Sequence, residues 1–179
     1  MSGKNKIYIG SDISVGALKY AKRVYKIENL IAADCTRLPF KDNSFDFVVF
    51  FEVIEHINVE EQKLALREIA RCLKNGGLLF ISTPNREYLM KKIYEKIFRR
   101  KMYKFHKAEL SFKDFKFVLE RQSNLKIIRM MGQNILPHFL GKFLYSVAPN
   151  FTKHLSNLLG KIFTSQATHF ISVLEKIEA

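Results

Sequence analysis

The sequence predicts an α/β fold, a parallel sheet covered by helices on both sides, and three observations carry that prediction. Short apolar runs of strand length recur through the first 85 residues, stretches of helical period alternate with them, and the connections are short. A chain of 179 residues that is 47% hydrophobic and 13% aromatic can bury one sizeable core, so residues 1–179 are expected to form a single domain. The 8 Gly and 4 Pro, with no recurring period, exclude collagen-like, low-complexity and solenoid classes. Cys35 and Cys72 form no CxxC pair, which excludes a disulfide scaffold or zinc ribbon and points to a reducing compartment. No apolar run reaches the roughly 18 residues of a membrane span, and no apolar segment follows the first residues. A cytoplasmic location follows as an expectation.

The elements follow in order. Lys6 to Ser11 is a short β-rich run, and Gly-Ser-Asp ends it in a polar turn. From Ser14 to Ile27 apolar residues return at Val15, Leu18, Ala21, Val24 and Tyr25, the spacing of a helix. Leu30 to Ala33 is a second short strand ending at Asp34, followed by a loop around Pro39. Asp46 to Phe51 is apolar after its first residue, as a strand covered on both faces should be. Glu60 to Leu73 reads as a helix anchored by Leu64, Ile69 and Leu73, and Asn75-Gly76-Gly77 reads as its C-cap. Leu78 to Ser82 is the next buried strand. Beyond Pro84 a basic helical segment, residues 86–110, is expected. A helix over Ser111 to Gln122 starts at an N-cap serine. Leu125 to Met130 and Thr168 to Leu174 are the last two strands, separated by an amphipathic helical insertion at 135–165 in which Phe151, Leu155, Leu158, Leu159, Ile162 and Phe163 form one stripe.

Charge is unevenly divided. Residues 1–85 hold 12 Lys/Arg against 10 Asp/Glu, whereas residues 86–179 hold 18 against 7, so most of the net +13 lies in the second half. Between Lys91 and Lys107 eight basic residues accompany one acid, Glu95. Such a field attracts phosphate or acidic headgroups within a Debye length of about 8 Å. An anionic acceptor, or an anionic membrane surface met peripherally, is the partner expected through residues 91–107, with RNA as the alternative and a solvated face as the third reading.

In an open parallel sheet, ligands bind beyond the carboxyl ends of the strands. Asp12 and Asp34 stand at two such ends. A carboxylate at the first can accept both hydroxyls of a ribose, and one at the second can accept from an exocyclic amine such as adenine N6. Either acid alone serves as well as a turn or cap residue. Two at successive strand ends are better explained by a nucleoside.

Here the sequence resembles the class I S-adenosylmethionine-dependent methyltransferases, in particular the type 11 group. The resemblance runs through Ile9-Gly10-Ser11-Asp12-Ile13-Ser14, Ala33-Asp34-Cys35, Leu38-Pro39-Phe40 and Ser44-Phe45-Asp46-Phe47-Val48-Val49. It continues through Glu52-Val53-Ile54-Glu55-His56-Ile57, Ala65-Leu66-Arg67-Glu68-Ile69, Leu73-Lys74-Asn75-Gly76-Gly77 and Ser82-Thr83-Pro84-Asn85. It implies a Rossmann-like doubly wound sheet with a helical insertion before the last strand, and S-adenosylmethionine as cofactor. It further implies Asp12 on the ribose, Asp34 and the Cys35 backbone on the adenine, and Phe51 and Glu52 beside the methionine moiety. In the family a strand and a Gly-rich loop precede the strand ending at Asp12, and six residues before Ile7 form neither. The expectation is a fragment of a longer methyltransferase, or direct pairing of the two flanking strands with weakened cofactor binding.

Glu52 lies one helical turn from Glu55 and His56, so three side chains of metal-ligating type can converge at a strand end. Similar Glu-x-x-Glu-His clusters hold a divalent ion in the small-RNA 2′-O-methyltransferases, which also carry a later His in a His-x-x-Glu context like His106-Lys107-Ala108-Glu109, and in a quinone-biosynthesis O-methyltransferase family. Across type 11 enzymes, by contrast, the Glu-His pair is frequent without a metal and shapes the pocket. No metal is assigned, and whether Glu52, Glu55, His56 and His106 share one stays open. His56 is the candidate general base, with His106 as its alternative. The expected activity is methyl transfer to a small-molecule, lipid-linked or glycan acceptor. The alternatives are an inactive methyltransferase-like binding module and an RNA methyltransferase.

Overall fold

A computed structural model describes residues 7–88, 92, 95–97, 99, 106–122, 124–133, 146, 150, 153–155, 158, 165 and 167–178. The expected strand-helix-strand opening is present as β1 (Gly10–Asp12), α1 (Val15–Tyr25) and β2 (Leu30–Ala32). Asp12 and Ser14 end the strand and start the helix. The Asp12 Oδ1 accepts from the Ser14 amide at 2.7 Å, and the Ser14 hydroxyl accepts from the Ala17 amide at 3.2 Å as the N-cap. β1 and β2 pair in parallel, with Asp12 opposite Ala32. Gly10 permits the close approach, since a Cβ there would lie 2.7 Å from Leu30 Cδ2. Ile7–Ile9, expected within the first strand, lie outside it and are exposed. The pairing begins only at Gly10, whose amide bonds to Asn29 O at 2.9 Å.

The remaining strands form a second sheet, in the order β3-β4-β6-β5. Its members are β3 (Phe45–Phe51), β4 (Leu73–Pro84), β5 (Leu125–Gln133) and β6 (His169–Lys176). α2 (Val59–Cys72) joins β3 to β4, and α3 (Phe112–Glu120) precedes β5. Each of these helices begins in a capping box, Asn58 with Glu61 and Ser111 with Asp114. β3 and β4 are parallel, as the α2 crossover requires. The strands up to Ser82 pair in parallel as expected, and β6 inserts between β4 and β5 antiparallel to both, which makes the larger sheet mixed. Among the described residues β1 and β3 are not paired with each other, contrary to one of the two expected outcomes, and each has a single strand partner.

One core cluster is built from Ala65, Leu66 and Ile69 of α2, Phe115 and Leu119 of α3, and Phe50, Leu79, Ile81, Leu125, Phe170 and Leu174 of the sheet. Expected coverage on both faces is not what β3 shows. Phe50 is buried, while Phe47, Val49 and Phe51 are 46%, 56% and 47% exposed. Side chains alternate along a strand, and α1 contributes no buried residue, so among the described residues β3 packs into the core through the Val48 and Phe50 face while Phe47, Val49 and Phe51 stay exposed on the other.

Asn75-Gly76-Gly77 is not a helix cap. α2 passes directly into β4 at Leu73, and these residues form an irregularity within that strand. Phe45 pairs with Leu73 and Phe47 with Leu78, leaving Lys74 to Gly77 looped out with Gly76 at φ 75°. About half of the basic segment at 86–110 and most of the insertion at 135–165 lie outside the described residues. Among the described residues no helix is long and apolar enough to cross a membrane.

Candidate functional site

The carboxyl ends of β1 and β2 bring Asp12 and Asp34 onto one edge of the molecule, as the pairing of Asp12 with Ala32 dictates. Each acid fastens its own turn through one oxygen. Asp34 Oδ1 accepts from the Thr36 amide and hydroxyl, both at 2.8 Å, and these bonds hold its pKa below the usual carboxylate value. Among the described residues the second oxygen of each carboxylate has no protein donor, and both side chains are exposed. Cys35 is half-buried against the core, and desolvation raises its thiol pKa.

Phe51 and Glu52 stand at the carboxyl end of β3, in the other sheet. Glu52 adopts φ 55°, a left-handed conformation that costs a non-glycine residue about 1–3 kcal/mol. It turns the chain from β3 into the single 3-10 turn Ile54–His56. The same turn sends the Glu52 carboxylate toward β4 and β6. Oε1 accepts from the Ser82 hydroxyl at 2.6 Å, and Oε2 lies 3.5 Å from His169 Nε2.

Glu55 points the other way and is 1% exposed. Desolvation raises its pKa, and the Thr83 hydroxyl donates to Oε2 at 3.2 Å. Its backbone carbonyl accepts from the Lys107 and Ala108 amides at 2.9 and 3.1 Å, which pins the segment after His106 against the turn. The buried Gln62 side chain of α2 clasps the same two segments, donating to Ile54 O at 2.9 Å and Ala108 O at 3.2 Å. His56 and His106 consequently meet edge to face, with ring centroids 4.8 Å apart. Ligand atoms of Glu55, His56 and His106 lie within 4.8 Å of one another, and these are the described residues that could hold a metal.

Comparison with known proteins adds the family. The model described as a methyltransferase domain, type 11, matches residues 1–81. An uncharacterized protein of Methanocaldococcus jannaschii is 34% identical over 175 residues, covering 96% of this chain and 70% of that protein. The demethylmenaquinone methyltransferase of Renibacterium salmoninarum is 42% identical over 74 residues, 41% of this chain and 30% of the enzyme. The chain belongs to the type 11 group of class I S-adenosylmethionine-dependent methyltransferases. Its fold agrees: a SAM-dependent methyltransferase from Thermotoga maritima superposes with a TM-score of 0.68 at 20% identity, over 95% of this chain and 73% of that one.

S-adenosylmethionine is the family's cofactor, and the donor set suits it. The outward oxygens of Asp12 and Asp34 are acceptors of the kind that ribose hydroxyls and an adenine amine require, one on each neighbouring strand end. Sequence reasoning missed Ser82, Thr83 and His169 as partners of the two glutamates. Ser82 and Thr83 stood in a matching motif without a role, and nothing local marks His169, which reaches Glu52 only through the β4–β6 register.

Proposed function

We propose that the chain transfers a methyl group from S-adenosylmethionine to an acceptor that is a small molecule, a lipid-linked group or a glycan. The carrying observation is the pair of outward carboxylates on adjacent parallel strand ends, which suits a nucleoside. Asp12 would accept the ribose hydroxyls and Asp34 the adenine amine. The Phe51 to Glu52 end of β3 would flank the methionine moiety. The bound cofactor supplies an electrophilic methyl on a sulfonium, so the protein's share is alignment and exclusion of water. His56, exposed at the carboxyl end of β3, would take the acceptor's proton. The basic run at 91–107 supports an anionic acceptor or one presented at an anionic surface.

Calorimetry with S-adenosylhomocysteine tests the cofactor site. Binding is expected to be weak, and Asp12→Ala to reduce it by about 1.5–3 kcal/mol, the value of hydrogen bonds to a charged acceptor, or roughly 10- to 150-fold. Tight binding indifferent to Asp12→Ala would place the cofactor elsewhere.

A further inference from the structure

We infer that Glu52 and His169 form a subsite for the amino group of the methyl acceptor, which makes a primary amine the acceptor class. The inference deepens the reading above and rests on it for one point, the cofactor's methionine end beside Glu52. Both side chains reach the same edge of the larger sheet. Glu52 follows β3, and His169 opens β6 opposite Pro84 of β4 and Gln133 of β5. Because β6 runs antiparallel, its first residue lies where those parallel strands end, the edge at which ligands bind.

Each side chain is fixed at one atom and left open at the other. Glu52 Oε1 accepts from the Ser82 hydroxyl at 2.6 Å, which leaves Oε2 toward His169. On the ring, Nδ1 lies 2.9 Å from Thr168 Oγ1. The Thr168 hydroxyl has one proton and gives it to Gln133 O at 3.0 Å, so toward the ring it can only accept, and His169 Nδ1 carries the hydrogen. Nε2 is therefore the accepting nitrogen. It faces Glu52 Oε2 at 3.5 Å, beyond the about 2.7–2.9 Å of a charge-assisted hydrogen bond, so no proton is shared along this line. Two acceptors confront each other, and among the described residues no donor stands between them.

A group with two N–H bonds on one atom satisfies both. A nitrogen about 2.9 Å from each acceptor spans the 3.5 Å separation with both N–H···acceptor angles at about 150°, within good hydrogen-bond geometry. A hydroxyl has a single proton and leaves one acceptor unserved. The Glu52 charge further favours an ammonium over a neutral group. Access is open, since the His169 and Glu52 side chains are 31% and 44% exposed. The left-handed backbone of Glu52 fits the same use, because strain of this kind is found at ligand clamps. In the transfer, His169 Nε2 takes one proton from the ammonium and the freed nitrogen pair bonds to the methyl carbon. The carbon–sulfur pair stays on sulfur, giving S-adenosylhomocysteine. The imidazolium so formed lies against the Glu52 carboxylate, which stabilises it. For an amine, His169 thus takes the proton-accepting role that His56 would hold for a hydroxyl.

The test uses binding rather than turnover. Protein carrying isotope-labelled histidine is titrated with ethanolamine, and with ethylene glycol as its hydroxyl counterpart, while the ring nitrogens are followed by NMR. The His169 signals are those lost in His169→Gln. Nδ1 should be the protonated nitrogen, and ethanolamine should shift Nε2 saturably, in the millimolar range expected of so small a ligand. Ethylene glycol should not. Glu52→Gln, of the same shape without the charge, should weaken the response about tenfold or more, and Ser82→Ala, which releases the carboxylate, severalfold. The exposed His154 serves as the control and should not move. Glu52 and His169 are outside the core, and circular dichroism verifies folding of each variant. Calorimetry with S-adenosylhomocysteine on the same samples separates the two readings. A failed cofactor site leaves the ethanolamine shift in place, and a failed amine subsite leaves cofactor binding in place. An Nε2 signal unmoved by ethanolamine, an equal response to ethylene glycol, or a response that survives Glu52→Gln overturns the subsite.

Discussion

Arg71 shows how much one side chain can organise. From α2 it donates to the carbonyls of Phe40 at 2.8 Å and Leu38 at 3.0 Å, to Asp42, and twice to Glu68. Glu68 in turn accepts the Leu38 amide at 2.9 Å, so the loop after Asp34 is fastened to the core by this pair. The Arg71 hydrogen bonds hold the Glu68 carboxyl below its ordinary value of 4.5. A depressed folded pKa gives stability that is fully present above the ordinary value and is lost as pH falls through the folded one. Melting temperatures measured from neutral pH down through 4.5 should therefore fall more steeply in the native protein than in Glu68→Gln, which has already lost that carboxylate. Parallel curves would remove Glu68 from the account. None of this was legible in the sequence, because Glu68 and Arg71 look like any solvated pair three residues apart on a helix.

At the level of elements, the strand and helix order through Pro84 was legible because periods of two and of 3.6 residues are written locally. Three features were not. The length of β1 depends on which neighbour it has, the direction of β6 depends on a long-range pairing, and the Gly-Gly pair reads identically as a helix cap or a strand irregularity. The last distinction is testable. An added Cβ at Gly77 would lie 2.7 Å from the Lys74 carbonyl oxygen, a backbone atom that cannot swing away, whereas at Gly76 it would meet nothing but would suffer φ 75°. Gly77→Ala should cost about 1–3 kcal/mol through overpacking, and Gly76→Ala about 1–2 kcal/mol through backbone strain. Both should appear as melting-temperature losses of several degrees. A neutral Gly77→Ala would contradict the observed path from α2 into β4.

On the scale of the molecule, the candidate site was half legible. Asp12, Asp34 and His56 could be picked out because each sits beside a strand end, whereas the meeting of His106 with Glu55 rests on backbone hydrogen bonds from Lys107 and Ala108 that no motif encodes. The charge asymmetry is legible by simple counting. If the basic second half docks on an anionic membrane, each of its cations contributes about 1 kcal/mol near the surface. Reversing Arg99, Arg100 and Lys101 to Glu should then release the protein from anionic vesicles by two orders of magnitude or more in sedimentation at physiological salt. Arg100 and Lys101 lie outside the described residues, so this expectation rests on sequence. RNA retention in a gel shift, without vesicle binding, would turn the preference to a nucleic-acid acceptor.

The placement of β6 between β4 and β5 also dictates an order of events during synthesis. Leu78 pairs with Glu175 and Leu125 with Lys176, so one of the two interior strands of the larger sheet is the last of its four to be made. β4 and β5 are not neighbours, and only β6 joins them. The nascent chain must therefore hold Leu79 and Ile81 of β4 without their eventual neighbours on β6 while the segment between the two strands is translated. Closure over such sequence separations is slow. The β1–α1–β2 unit is local by comparison and can assemble early, so the edge that carries Asp12 and Asp34 forms before the core of the larger sheet.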